Sequence, residues 1–126
     1  MGEDRKKTGR LGEQEACEYL MSLGHTILER NWRHARLELD IISLDKEGLH
    51  FVEVKTRRAP ALASPEINVH FGKRRHMAGA AAAYLSSCDH GDLRDCEVFF
   101  DIISILFEGE EAHIEYYPKA FIPIYA

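Results

Sequence analysis

Apolar residues along the chain follow two rhythms. Between residues 4 and 23 the spacing is helical: Ala16, Leu20 and Leu23 share one stripe, with Leu11, Glu13, Glu15 and Glu18 distributed around it. Gly24 should stop this helix, since glycine takes the left-handed backbone that closes helices at little cost. Strand patterns follow. HTILERNWR is a moderate candidate, LELDIISLD at 37–45 a better one, and LHFVEVKTR at 49–57 comes after the turn signal DKEG, which makes these two a hairpin.

The segment 59–68, APALASPEIN, has two prolines and no period, and reads as a loop. Residues 73–85 are alanine-rich and predict a second helix. After another loop at 86–95, CEVFFDIISILF reads as a buried strand, and HIEYYPKAF as a last strand ending near Pro118. The expected order is α-β-β-β-α-β-β in one domain spanning residues 1–126, an α/β chain with about five strands and no internal repeat.

The hairpin places chemistry. With a four-residue loop at 45–48, Leu44 faces Leu49, and each opposing pair of residue numbers sums to 93. Asp40 would then face Glu53, and Glu38 would face Lys55. Because strand side chains repeat on one face every two residues, all four would project from the same side. Opposed residues have Cβ atoms about 4.5–5.5 Å apart, so facing carboxylates repel. Water, a shared proton or a bridging cation can relieve that repulsion. The flanking Leu39, Ile41, Ile42, Phe51, Val52 and Val54 are too apolar for a freely solvated face, which favours a hard divalent cation. Mg²⁺ takes oxygen ligands and keeps several waters. It lowers the pKa of a bound water, and Lys55 is placed to stabilise charge growing on a phosphoryl oxygen. The alternative is a set of cross-strand ion pairs on an exposed face, with a one-residue register slip separating Asp40 from Glu53.

Glu13 precedes Ala16, Cys17 and Leu20 by three, four and seven residues, so it sits on the stripe that faces the core and needs a partner there, unless it curls to solvent. The three cysteines, Cys17, Cys88 and Cys96, contain no C-x-x-C pair and read as reduced thiols. The seven histidines read as scattered.

Charge is unevenly divided. The formal net charge is -5, yet residues 1–86 carry 14 of the 16 Lys+Arg against 12 Asp+Glu, a balance of +2, and residues 87–126 carry 2 against 9, a balance of -7. Basic side chains cluster at Arg5, Lys6, Lys7 and Arg10, at Arg30, Arg33 and Arg36, at Lys55, Arg57 and Arg58, and at Lys73, Arg74 and Arg75. Such local clusters suit phosphate contact, which makes Arg33, Arg36, Arg57, Arg58, Lys73 and Arg74 the candidate nucleic-acid contacts. No apolar run approaches the roughly 20 residues that span a bilayer, and the N-terminal MGEDRKKTGR has no apolar run behind its charges. A cytoplasmic protein without a membrane partner is expected.

The ordered segments GRLGEQEACEYL, ERNWRHARLELDII, FVEVKTR and SPEINVHFGKRRHMAGAAAAYL resemble the bacterial YraN-like family, which is related to the PD-(D/E)XK nuclease superfamily and to archaeal Holliday junction resolvases. The similarity spans roughly residues 8–107. It implies a restriction-endonuclease-like three-layer core, Mg²⁺ or Mn²⁺ as cofactor, Asp40 and Glu53 as metal-binding carboxylates, Lys55 as catalytic lysine and Glu13 as the helix-borne acid. Lys73 matches a lysine that opens the family's second helix; its plain role is exposed charge at a helix start. Leu37 stands where the family commonly has Gly, and Phe99 where it often has Arg. The resemblance implies a metal-dependent endonuclease acting on DNA, branched DNA included, with RNA not excluded and a homodimer expected by analogy with junction resolvases. The rival is a non-catalytic nucleic-acid-binding or protein-interaction module that keeps the fold.

Overall fold

The computed structural model describes the backbone of residues 2–60, 71–87 and 91–121, and the side chains of all of these except 2–5 and 71. Its elements run α1 (Gly2–Ser22), β1 (Thr26–His34), β2 (Leu37–Leu44), β3 (Leu49–Arg58), α2 (Phe71–Ser86), a 3₁₀ turn (Gly91–Asp95), β4 (Val98–Glu108) and β5 (Glu111–Phe121). This is the expected α-β-β-β-α-β-β order, an α/β three-layer core with a mixed five-stranded sheet between two helices. The loop expected at 59–68 lies outside the described residues beyond Pro60, as does Cys88.

The sheet order is β1-β2-β3-β4-β5, and only the β3–β4 pair is parallel. A parallel neighbour requires a crossover, which the segment carrying α2 supplies. Strand β3 is the centre of the sheet and its most constrained member. Ten residue pairs tie it to β4, from Leu49↔Val98 to Arg58↔Phe107. On its other side the ladder with β2 runs Ile41↔Val52, Ile42↔Phe51, Ser43↔His50 and Leu44↔Leu49, so the pairs do sum to 93.

Each helix covers one face of the sheet. Ala16, Cys17 and Leu20 of α1 pack with Ile41, Val52, Ile103, Ile105 and Phe107. Met77, Ala80, Ala81 and Tyr84 of α2 pack with Leu39, Ile42, Phe51, Phe100 and Ile102. The spacing 77, 80, 81, 84 is one helical face, and its alanines let α2 lie close to the strands. Each fully buried Leu, Ile or Phe contributes about 1.5–3 kcal/mol from apolar area removed from water. Leu23, expected on that stripe, is instead 50% exposed, because α1 ends at Ser22 and the chain turns away at Gly24; Leu11, expected around the stripe, is 41% exposed, since Gly12 beside it is the residue that lies against β3.

Two glycines set the position of α1. Gly24 has φ 99°, donates its N–H to Met21 O at 3.0 Å, and lets His25 N–H reach Leu20 O at 3.0 Å, which closes the helix and sends the chain directly into β1. Gly12 is buried against β3, where a Cβ would stand 2.0 Å from Thr56 Oγ1. Any side chain at that position must push α1 off the strand.

Candidate metal-binding site at the fork of β2 and β3

The β2–β3 ladder ends at Ile41↔Val52, one pair short of Asp40 and Glu53. The reason is Asp40 itself: its Oδ2 accepts the Val54 N–H at 2.9 Å, in place of a β2 carbonyl. Beyond that bond the two strands part and form a fork. The side-chain alternation of β2 also breaks here. Leu39 and Ile42 pack on the α2 side while Ile41 packs on the α1 side, so Leu39 and Ile41, two residues apart, occupy opposite faces. On β1 the residue between the pairs Arg30↔Ile41 and Trp32↔Leu39 is Asn31, with φ 52°. The expected one-sided patch of four groups is therefore corrected. Glu38 falls out of step with Glu53 and Lys55, and pairs across the first hairpin with Arg33 at 3.4 Å.

Three carboxylates remain around the fork. Asp40 is central to them. Burial, followed by the charge of Glu53, pushes its carboxyl up to about 7; Glu13 adds to the rise, while the Val54 hydrogen bond and Lys73 oppose it. Glu13, half-buried on α1, accepts a hydrogen bond from Asn31 Nδ2 at 2.7 Å. The closeness of α1 at Gly12 is what brings Glu13 down to this level. Glu53 alternates with Phe51 toward the α2 side and meets Lys73 Nζ at 3.5 Å. Lys55, half-buried and next in that alternation, makes no hydrogen bond or ion pair with the described residues.

A cavity of about 490 Å³ opens on the α1 side of the fork, lined by Glu13, Asp40, Val54, Thr56, Arg57 and Arg58 with part of α1. Glu53 and Lys55 are not part of its lining, so Asp40 is the residue that faces both sides. Arg58 Nε donates to Thr8 Oγ1 at 2.8 Å, and its guanidinium lies 5.5 Å from the Phe107 ring centre, which fixes a cation at the cavity rim. The other candidate contacts are dispersed: Arg33 is held by Glu38, Arg36 is exposed at the turn between β1 and β2, and Arg74 lies 5.5 Å from the Phe121 ring centre.

The donors fit a hard cation. All three acids offer oxygen, and their mutual repulsion is what a divalent ion relieves. Their oxygens do not converge within the 4.8 Å seen for a group of potential ligands at the turn end of the hairpin, so a cation at the fork would rely on water for much of its shell, as Mg²⁺ does.

That other group was not legible as a cluster from the sequence. At the turn end of the β2–β3 hairpin, His25, Asp45 and His50 bring one potential ligand atom each within 4.8 Å of one another. His25 is 7% exposed, His50 3% and Asp101, which bonds His50, 0%. Two of the seven histidines read as scattered are thus neighbours, with ring centres 4.6 Å apart. The sum-of-93 register already opposed His50 to Ser43, but nothing in the sequence paired the start of β1 with that turn. Cys17 is buried in the core, with its thiol pushed up by burial, and neither it nor the half-buried Cys96 is near a disulfide partner among the described residues.

Comparison with known proteins places the chain. The family model described as "Uncharacterised protein family UPF0102" matches residues 12–105. A UPF0102 protein of Trichlorobacter lovleyi is 40% identical over 123 residues, covering 96% of this chain and 94% of its own. One from Nitratidesulfovibrio vulgaris is 41% identical over 121 residues (96% and 88%), and one from Dictyoglomus turgidum 39% over 120 (94% and 99%). The chain belongs to the UPF0102 family.

Proposed function

We propose that this UPF0102 protein is a metal-dependent endonuclease of the PD-(D/E)XK type, hydrolysing phosphodiester bonds in DNA, branched DNA included. The observation that carries this reading is the fork itself: the sheet gives up a backbone pair where Asp40 stands between the charges of Glu53 and Glu13, and Lys55, two residues beyond Glu53 on the same strand, has no partner among the described residues. Burial and two neighbouring carboxylates both act against the charged form of Asp40, which costs the fold stability that a bound cation would return. A bound Mg²⁺ or Mn²⁺ would lower the pKa of a coordinated water and offset charge on the phosphoryl group.

The chain's own residues supply the rest. Asp40 and Glu53 would hold the cation, and Glu13 would accept a hydrogen bond from a water beside them. Lys55 presents a point charge to the non-bridging phosphate oxygens as negative charge grows there. Lys73, paired with Glu53, would be available to a phosphate were that carboxylate engaged by a cation. Arg57 and Arg58 at the cavity rim are placed to hold the neighbouring backbone phosphates. A cytoplasmic location suits a DNA substrate, and among the described residues no helix is long and apolar enough to cross a membrane. A homodimer would match the two-fold character of a DNA junction.

The Lys73–Glu53 contact also supports the rival, a non-catalytic nucleic-acid-binding module in which Lys73 serves as the standing counterion. A cleavage panel of branched and linear DNA and RNA with Mn²⁺ separates them. The nuclease reading expects cleavage that falls at least about 100-fold in Lys55→Ala and in Asp40→Ala. Binding that weakens steeply with salt, with no cleavage of any substrate, supports the rival.

A further inference from the structure

The turn end of the β2–β3 hairpin is built like a metal centre of a different chemical class. His25 Nε2 lies 3.5 Å from Asp45 Oδ2, and His50 Nε2 lies 2.9 Å from Asp45 Oδ1. Both imidazoles therefore aim the same ring nitrogen at the two oxygens of one carboxylate. Their other nitrogens are held from behind: His25 Nδ1 meets Ser43 Oγ at 2.9 Å, and His50 Nδ1 meets Asp101 Oδ2 at 2.6 Å. Asp101 is itself fixed by the Tyr116 hydroxyl at 2.6 Å and the Lys119 N–H at 2.9 Å.

That backing is what orients histidine ligands in metalloproteins, where a carboxylate takes the distal N–H and leaves the other nitrogen's lone pair facing the ion. It has a consequence at Asp45. With one His50 proton on Nδ1, where Asp101 accepts it, Nε2 faces a carboxylate oxygen 2.9 Å away, so that contact holds a positive charge: the second proton of an imidazolium, or a cation that takes that proton's place. Asp45 is also preset. Its Oδ1 accepts the N–H groups of Glu47 and Gly48 at 2.9 and 3.2 Å, which leaves Oδ2 directed at His25.

The geometry points to a structural site for a borderline divalent transition ion of the Zn²⁺ class, ligated by His25 Nε2, His50 Nε2 and Asp45, that clamps the hairpin turn to the start of β1. Two imidazoles and one carboxylate suit Zn²⁺, Co²⁺ or Ni²⁺, and disfavour Mg²⁺ or Ca²⁺, which take oxygen almost exclusively. A water would close a fourth position, and Glu47 stands on the same turn, with Lys119 at 3.4 Å as its side-chain partner among the described residues. This site is independent of the fork, which offers only oxygen.

The test uses the full chain, first stripped with a chelator. Calorimetry with Zn²⁺, and the visible d–d absorption of added Co²⁺, should show one tight site per chain with nitrogen-containing, low-coordinate geometry. His25→Gln should weaken Zn²⁺ binding at least about tenfold and remove the Co²⁺ band, and Asp45→Asn should do the same if His25→Gln does not fold. Asp40→Asn should leave both signals intact. In Asp40→Asn, whose fork has lost a carboxylate, equimolar Zn²⁺ should raise the unfolding midpoint where excess Mg²⁺ does not. A Co²⁺ spectrum typical of water and oxygen ligands, Zn²⁺ binding that survives both variants, or binding lost in Asp40→Asn would overturn the assignment.

Discussion

The two ends of the β2–β3 hairpin carry ionisable groups in opposite conditions. At the turn end, every buried charge has a partner: Asp101 receives His50, Tyr116 and a backbone N–H, and Asp45 receives both histidines and two backbone N–H groups. Those partners outweigh burial and raise His50, while burial and the neighbouring ring lower His25. At the fork, Asp40 has one backbone partner and the distant charge of Lys73, and burial with two repelling carboxylates outweighs them. Folding accounts for the first arrangement, because satisfied polar groups stabilise a core. It does not account for the second. A site that costs stability without structural return is where a ligand is expected to compensate.

The contrast can be broken from either end, and the signs should differ. Asp101→Ala strands His50 Nδ1, the Tyr116 hydroxyl and the Lys119 N–H in a buried place; we expect a loss of about 3–5 kcal/mol in urea unfolding. Asp40→Asn keeps an acceptor for Val54 but removes the repulsion, so the metal-free protein should gain on the order of 2 kcal/mol at pH 8.

The pH dependence follows from the direction of the Asp40 shift. Its carboxyl rises from 3.8 in the unfolded chain to about 7 in the fold, so the folded state holds this proton more tightly. The stability it contributes is full below pH 3.8 and is lost as pH rises toward and through 7. The gap between Asp40→Asn and the unaltered protein should widen across that window and flatten above it. Saturating Mn²⁺ should narrow the gap at pH 8 by stabilising only the unaltered protein; an unchanged gap would remove the cation from the fork.

Gly12→Ala should cost about 1–3 kcal/mol by forcing α1 away from Thr56, and should reduce cleavage further than its stability cost explains, because Glu13 moves with the helix. The smallest effect is expected at the exposed Arg33–Glu38 pair, where Arg33→Gln should change stability by no more than about 0.5 kcal/mol while weakening DNA binding at low salt.

Much of this was legible in the sequence, for local reasons. The DKEG turn set the register that places Ser43 opposite His50 and Ile41 opposite Val52, and periodicity located both helices to within two or three residues at each end. The extra step at Asp40 was not legible. It depends on a side chain replacing a backbone acceptor and on Asn31 adopting φ 52° in the neighbouring strand, neither of which leaves a mark on hydrophobic spacing. The histidine cluster was missed for a related reason: His25 reaches Asp45 from β1, and the β1–β2 register shifts between Ile27 and Glu29, so counting residues from the turn between those strands gives the wrong pairs at the far end.

The ten-pair ladder with β4 has a mechanical consequence for both sites. Because β3 is pinned from that side, a residue inserted in or deleted from the 45–48 turn cannot be absorbed by β3; the displacement falls on β2. Asp40 would lose the Val54 amide and Asp45 would move off the two imidazoles in the same event. The turn thus serves as a common phase reference, and its length, four residues, holds two chemically unrelated centres in alignment from the ends of a single short strand.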